Sequence, residues 1–278
     1  MDCIFVIVIP DNKASAVPAN RLWKQRCFQW VFHGETLSIQ GFCPVKRIDG
    51  AEGVRRKMRQ MDTCFWSGFE SNHYAFCEQQ LCSLVVEPAN TWSNIGYLIV
   101  AIFIFRSSHV QSKRVKNFFA LSTLCLFFGS MSMHATGTSW GMFADVSAMF
   151  FLSNVILTLS LERFFQLCEK TANLLFLALM VFSLGFLIYT GSGGKLFLLQ
   201  IIVAAVLEYR LRSLHMVHVW QSTAFFVAAF TFWLLDTKKI LCWPENHILT
   251  GHSMWHLLAA GAIWVYFLAY RAKKINRN

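Results

Sequence analysis

Seven long apolar runs, separated by short polar segments, occupy the chain from residue 91 onwards. The runs span residues 91–105, 117–133, 141–161, 172–189, 195–209, 217–235 and 252–270. A transmembrane helix needs about 20 predominantly apolar residues, with a lower limit of about 17. The pattern therefore predicts an all-α membrane protein with seven transmembrane helices, of which the fifth, residues 195–209, is among the shortest.

The composition agrees with a membrane protein. Hydrophobic residues make up 55% of the 278 positions and charged residues only 14%, whereas about a quarter of the residues of a soluble domain are charged. The net charge of +10 could indicate nucleic-acid binding, but many of the basic residues lie in the short segments between apolar runs. We therefore expect an integral, multi-pass protein surrounded by a lipid bilayer, and no nucleic-acid partner.

The basic residues also predict the direction of the helices. Twelve Lys and Arg residues follow the first, third, fifth and seventh runs, whereas the alternate segments hold only Lys195, Lys238 and Lys239. Basic residues are enriched on the cytoplasmic side of membrane proteins. The carboxyl terminus is thus predicted to be cytoplasmic and the segment before the first run extracytoplasmic. The choice between a bacterial inner membrane and a eukaryotic endomembrane stays open.

The first sixty residues do not fit this orientation. They hold ten Lys and Arg residues and no long apolar run, and a basic segment resists translocation. One interpretation is a mispredicted start, with the natural chain beginning near Met58 or Met61; another is a flexible or processed leader. We favour the first, and predict an extension over residues 1–60 followed by a seven-span domain over residues 61–278.

Five polar residues on three of the predicted helices share one depth. Ser130 and His134, four positions apart, lie near the end of the second run. Asp145 lies in the first turns of the third run, and His252 and His256 lie one turn apart at the start of the seventh. In the predicted topology all five reach the extracytoplasmic side. Ionisable residues at such depth are costly and mark functional sites.

These residue types favour a zinc site. Three His nitrogens with an open fourth position form a common catalytic zinc set, and zinc lowers the pKa of a bound water towards about 7. A carboxylate can take the proton, and a hydroxyl can donate to a developing oxyanion. Each residue alone has an ordinary alternative: helix packing for a histidine or Ser130, and helix capping for Asp145. Their coincidence predicts zinc bound by His134, His252 and His256, near the extracytoplasmic side.

The same motifs resemble those of the alkaline ceramidases. Residues 129–149, GSMSMHATGTSWGMFADVSAM, resemble the family's Ser-x3-His followed by Asp eleven residues later. Residues 251–256, GHSMWH, are similar to its last-helix His-x3-His, and residues 87–94, EPANTWSN, to its first-helix motif, with Cys77 and Glu78 before it. The resemblance covers about residues 77–270. It extends to the superfamily of seven-span zinc hydrolases that includes the progestin and adiponectin receptors.

The resemblance implies a zinc-dependent amidase that hydrolyses the N-acyl bond of ceramide-like membrane lipids to a fatty acid and a sphingoid base. It implies His134, His252 and His256 as zinc ligands, Asp145 as the base and Ser130 as the oxyanion partner. The alternatives are another membrane lipid hydrolase of the superfamily, acting on esters, and a seven-span lipid receptor with a vestigial zinc site. A transporter is disfavoured because paired broken helices are missing. Protein partners stay open.

The resemblance also raises the question of a calcium site. Family members bind calcium near the first helix through an Asp-Trp-Cys-Glu-x-Asn cluster, but this chain departs from it at Ala75, Phe76 and Gln80. Only Glu78 and Glu87 remain as oxygen ligands, and calcium takes about six to eight, which argues against a calcium site.

The resemblance also favours a disulfide between Cys77 and Cys242, with Cys82 as a competing partner. Both cysteines lie on the extracytoplasmic side of the predicted topology, where disulfides form. The nine cysteines of the chain form no Cys-x2-Cys pair.

Overall fold

The computed structural model describes residues 64–108 and 112–271, together with the backbone of two short strands nearer the amino terminus. The helices of residues 64–271 are α1 (Pro88–Trp92), α2 (Ile95–Arg106), α3 (Lys113–Thr136), α4 (Ser139–Phe164), α5 (Glu169–Thr190), α6 (Gly194–Leu211), α7 (Met216–Thr237) and α8 (Gly251–Arg271).

The two strands belong to a separate unit, Met1–Val54. β1 (Val31–Phe32) and β2 (Glu35–Thr36) pair antiparallel. The rest of the predicted extension over residues 1–60 lies outside the described residues. Its interpretation as a false start or a leader therefore stays a prediction.

Six helical stretches within the described residues are long and apolar enough to cross a membrane. They are Pro88–Arg106, which joins α1 and α2, and the helices α3, α4, α5, α7 and α8. The chain is therefore an integral, multi-pass membrane protein, as predicted. The remaining predicted span, residues 195–209, corresponds to α6, which has 18 residues and carries Lys195, Glu208 and Arg210. A seventh crossing stays a prediction.

Local signals join α3 and α4 into a tight antiparallel hairpin. Gly137 ends α3 with a φ of 66°, a left-handed conformation that glycine adopts without steric cost. Thr138, the residue before α4, then caps the start of this helix. Its side-chain oxygen accepts a hydrogen bond from the backbone N–H of Gly141 at 3.2 Å, which satisfies one of the free donors of the first turn. The hairpin brings the end of α3 beside the start of α4.

Close packing between α3 and α4 depends on Gly129. A Cβ atom at this position would lie 2.7 Å from the carbonyl oxygen of Ala144, so any larger side chain would force the two helices apart. Small residues allow such close backbone approach between helices in membranes. The contact places the residues on either side of it, Ser130 and Asp145, next to each other.

Candidate metal centre

Three buried histidines converge at one end of the helix bundle. His134 comes from the last turns of α3, and His252 and His256 come from the first two turns of α8. Each side chain is at most 4% exposed, and one ring nitrogen from each lies within 4.8 Å of the others. The structure thus brings the three predicted ligands together, although His134 and His252 are 118 residues apart in the sequence.

His134 is oriented by Glu87, the residue before α1. The Nδ1 atom of His134 lies 2.7 Å from a carboxylate oxygen of Glu87, and the backbone N–H of Glu87 donates to the carbonyl oxygen of His134 at 3.0 Å. Because a carboxylate accepts, Nδ1 carries the proton and the lone pair of Nε2 faces the other histidines.

The surroundings of Glu87 keep it ionised. Burial acts to raise its pKa, but the hydrogen bonds from His134, Asn90 and Gln80 together outweigh burial. The pKa of Glu87 therefore lies below its ordinary value. The side chains of Asn90 and Gln80 each donate to it at 3.1 Å.

His256 is oriented by Ser93 in the same manner. The Ser93 hydroxyl donates to the carbonyl oxygen of Asn90 at 3.0 Å, so its oxygen is left to accept a hydrogen bond from Nδ1 of His256 at 2.8 Å. The lone pair of Nε2 then points into the site. Second partners of this kind fix the tautomer and direction of histidines that bind metals.

The spacing of two of the nitrogens is close to that around a tetrahedral ion. The Nε2 atoms of His134 and His252 are 3.1 Å apart. Two ligand atoms about 2.0–2.1 Å from a tetrahedral zinc ion lie roughly 3.3 Å apart. The donor set, three imidazoles with no fourth ligand residue grouped with them among the described residues, is also one that catalytic zinc takes. The identity of the metal, and the roles of the three histidines as its ligands, stay predictions.

Ser130 and Asp145 complete the predicted constellation. The hydroxyl oxygen of Ser130 lies 3.3 Å from Nε2 of His256, and the same hydroxyl interacts with the carboxyl of Asp145. Ser130, Asp145, His252 and His256 all border one cavity. The structure therefore places all five predicted residues at one site.

Sequence reasoning missed Asp236 at the end of α7. This side chain is fully buried. One carboxylate oxygen accepts the backbone N–H of His252 at 3.1 Å, and the other accepts the backbone N–H of Cys77 at 2.9 Å. Asp236 thus fixes the start of α8, and an acidic residue ending a long apolar run was the signal that could have found it. Ser93, inside a matched motif, was missed as well.

The two carboxylates considered for calcium have other partners in the structure. The two oxygens of Glu78 accept the backbone N–H groups of Ala89 and Asn90 at 2.8 and 2.9 Å, which caps α1, and His247 contacts the first of these oxygens. Both oxygens of Glu87 are likewise hydrogen-bonded. A calcium ion would have to displace these donors, so the geometry agrees with the sequence argument against it.

Disulfides hold the segment before α1 over the histidines. The structure confirms the pairing of Cys77 with Cys242, and Cys82, the competing partner, pairs with Cys64. Next to Cys77, the Phe76 ring packs against His252 with the ring centroids 3.9 Å apart. This segment therefore closes one side of the site.

The fold and the site together define a class of protein. Its members are multi-pass helical membrane proteins with a buried three-histidine centre, which a carboxylate and a hydroxyl flank. Human alkaline ceramidase 1 is 28% identical to the chain over 210 residues, which cover 68% of this chain and 78% of that relative. No model of a protein family matches the chain. This distant similarity to an alkaline ceramidase agrees with the resemblance predicted from the motifs.

The contact between Glu87 and His134 leads to a prediction for metal affinity. We expect Glu87→Gln to weaken zinc binding about 10–100-fold, because a neutral amide is a poorer partner for the imidazole N–H. Competition with a chelator of known affinity measures the change. Glu70→Gln, on an exposed side chain of the same segment, is the matched control. Equal affinities of the two variants would show that Glu87 does not support the metal.

Proposed function

We propose that the protein is a zinc-dependent membrane amidase that hydrolyses the N-acyl bond of ceramide-like lipids, releasing a fatty acid and a sphingoid base. The observation that carries this proposal is the position of the histidine centre at the wall of a large apolar cavity within the bundle. The similarity to alkaline ceramidase 1 supports the lipid class. The structural support comes from the shape of the cavity and from the groups at its polar end.

The cavity suits a lipid chain. It has a volume of about 690 Å³ and extends from His252 and His256 to Glu208 and Tyr266, lined mostly by apolar side chains. It lies between α6 and α7, which scarcely touch each other. Ile202 and Val227 line the cavity and are also half exposed on the surface of the bundle. A lipid can therefore enter sideways, without leaving the bilayer.

The residues at the polar end can divide the work of amide hydrolysis. His134, His252 and His256 would hold zinc, which supplies a Lewis acid that acidifies water and polarises a carbonyl oxygen. Asp145 would accept the proton from the attacking water and deliver it to the amine nitrogen as the C–N bond breaks. The Ser130 hydroxyl would donate a hydrogen bond to the carbonyl oxygen as negative charge develops there.

The proposal includes an orientation. With α6 as a seventh span, the carboxyl terminus is cytoplasmic and the histidines face the extracytoplasmic side, as the basic residues predict. Two disulfides at the histidine end of the bundle support this arrangement, since disulfides form in oxidising compartments.

A panel of lipids tests the proposed activity. The purified protein is incubated with ceramides and with ester lipids that carry the same acyl chains, with and without a zinc chelator. We expect fatty acid release from ceramides, loss of release with chelator and recovery when zinc is added. Faster release from esters would identify the ester hydrolase alternative. Binding without release from any lipid would favour the receptor alternative and overturn the proposal.

A further inference from the structure

The cavity ends, opposite the histidines, on a buried polar cluster for which the proposed reaction has no use. Glu208 on α6 lines the cavity and is only 1% exposed. One of its oxygens, Oε1, accepts hydrogen bonds from the hydroxyls of Ser160 at 2.5 Å and Tyr266 at 3.0 Å. The same oxygen forms an ion pair with Arg163, whose guanidinium lies over the ring of Tyr270. The charge of the carboxylate is thus neutralised from one side.

The second oxygen of Glu208, Oε2, is buried and has no hydrogen-bond partner within the described residues. Buried polar atoms in proteins are nearly always hydrogen-bonded. Glu208 borders the cavity, so a turn of its carboxylate group would bring this oxygen to a molecule inside the cavity, which would then supply the missing donor. This end of the cavity is therefore equipped to recognise a polar group as well as to stop a chain.

The distance between the two ends fits one lipid chain. Tyr266, which contacts Glu208, follows His256 by ten residues on α8, which corresponds to about 15 Å along the helix. The hydrocarbon core of a bilayer is about 30 Å thick, so the chains of one leaflet span about 15 Å. A lipid chain whose polar head lies at the histidines would consequently end near Glu208.

We propose that Glu208 forms a distal subsite that accepts a hydrogen bond from a hydroxyl at the far end of a lipid acyl chain. The ligand is a terminally hydroxylated chain rather than an amine, because Arg163 already neutralises the carboxylate and an added ammonium would leave excess positive charge. A chain ending in a methyl group would leave Oε2 unpaired against apolar surface. This inference deepens the proposed function and rests on it for the direction in which the lipid lies.

Binding measurements on zinc-stripped protein test the subsite without requiring hydrolysis. The probes are hexadecanoic acid and its terminally hydroxylated counterpart. We expect the hydroxylated acid to bind about tenfold more tightly, the scale of one hydrogen bond to a charged group. An isomer with the hydroxyl in the middle of the chain should show no such gain, and this comparison needs no variant. Equal binding of all three acids, or binding of none, would overturn the proposal.

A paired substitution locates the effect at Glu208. Arg163→Met combined with Glu208→Met replaces the ion pair by apolar side chains of similar size, an exchange that folded proteins often tolerate. We expect it to abolish the preference for the terminal hydroxyl. The matched control, Arg114→Met with Glu162→Met, removes a second Arg–Glu ion pair, at 2.8 Å and away from the cavity lining, and should keep the preference.

The outcomes for the subsite and for the proposed function are distinguishable. A preference for the terminal hydroxyl that survives in the Arg163 and Glu208 double variant would refute the role of Glu208. Absence of ceramide hydrolysis with an intact preference would refute only the amidase. Ceramide hydrolysis without the preference would refute only the subsite.

Discussion

Replacing His252 by alanine should remove the metal and abolish lipid hydrolysis. The site offers three nitrogen ligands within 4.8 Å of one another, and the loss of one leaves fewer protein ligands than catalytic zinc sites use. We expect zinc per protein chain, measured by elemental mass spectrometry, to fall from about one to near zero. Fatty acid release should fall with it, by several orders of magnitude, because both the metal and its chemistry are lost.

The control for this variant is another histidine of the same chain. His215, the residue before α7, is exposed and lies at the end of the bundle opposite the histidine centre, where its backbone N–H contacts the carbonyl oxygen of Ala269. We expect His215→Ala to keep both metal and activity. Full zinc occupancy in His252→Ala would show that this histidine is not a ligand.

The second large effect is expected on the hydrolysis step, which follows binding of the metal. We expect Asp145→Asn to keep zinc but to lose about 10²-fold or more in kcat, the scale of a lost general base. An asparagine preserves the size of the side chain and can still contact Ser130, so the packing between α3 and α4 should survive. Steady-state kinetics together with metal analysis on the same preparation measure the two effects separately.

Asp236→Asn is the matched control, since it neutralises a second buried carboxylate near the site. Asp236 accepts the backbone N–H groups of His252 and Cys77, so its neutralisation should weaken stability and zinc retention rather than kcat per bound zinc. Near-normal turnover in Asp145→Asn would make Asp145 a structural residue. The same drop in kcat per bound zinc for both variants would also remove its assignment as the base.

Much of the fold could be predicted, because apolar runs determine where membrane helices form. The third run, residues 141–161, corresponds to α4 (Ser139–Phe164), and the seventh, residues 252–270, to α8 (Gly251–Arg271). The first run was harder, because the chain interrupts its helix near Ser93 and so forms α1 and α2. At this position the Ser93 hydroxyl contacts His256, a local geometry that hydropathy does not encode.

For the candidate site, the sequence predicted the depth of each residue in the membrane and the direction of the helix that carries it. His134 lies near the end of α3 and His256 near the start of α8, and both reach the same side of the bundle because the two helices run in opposite directions, a property that can be read along the sequence. The contacts of Glu87 and Asp236 depend instead on how each helix is rotated about its axis and how the connecting segments fold. Glu87 and Asp236 lie at helix ends, where the periodic pattern of apolar residues carries little information. For Glu87, the motif resemblance suggested a calcium ligand instead of a partner of His134.

The distribution of the histidines over the helices has a consequence for biosynthesis. His134 and its partner Glu87 are synthesised early, whereas His252 and His256 belong to α8, the last of the helices within residues 64–271. A growing chain therefore carries only one of the three histidines, with polar groups that lack their final neighbours, until α8 is inserted. If the centre binds zinc as proposed, zinc loading must follow translation through α8, and a chain terminated before residue 252 would insert most of its helices without acquiring the metal.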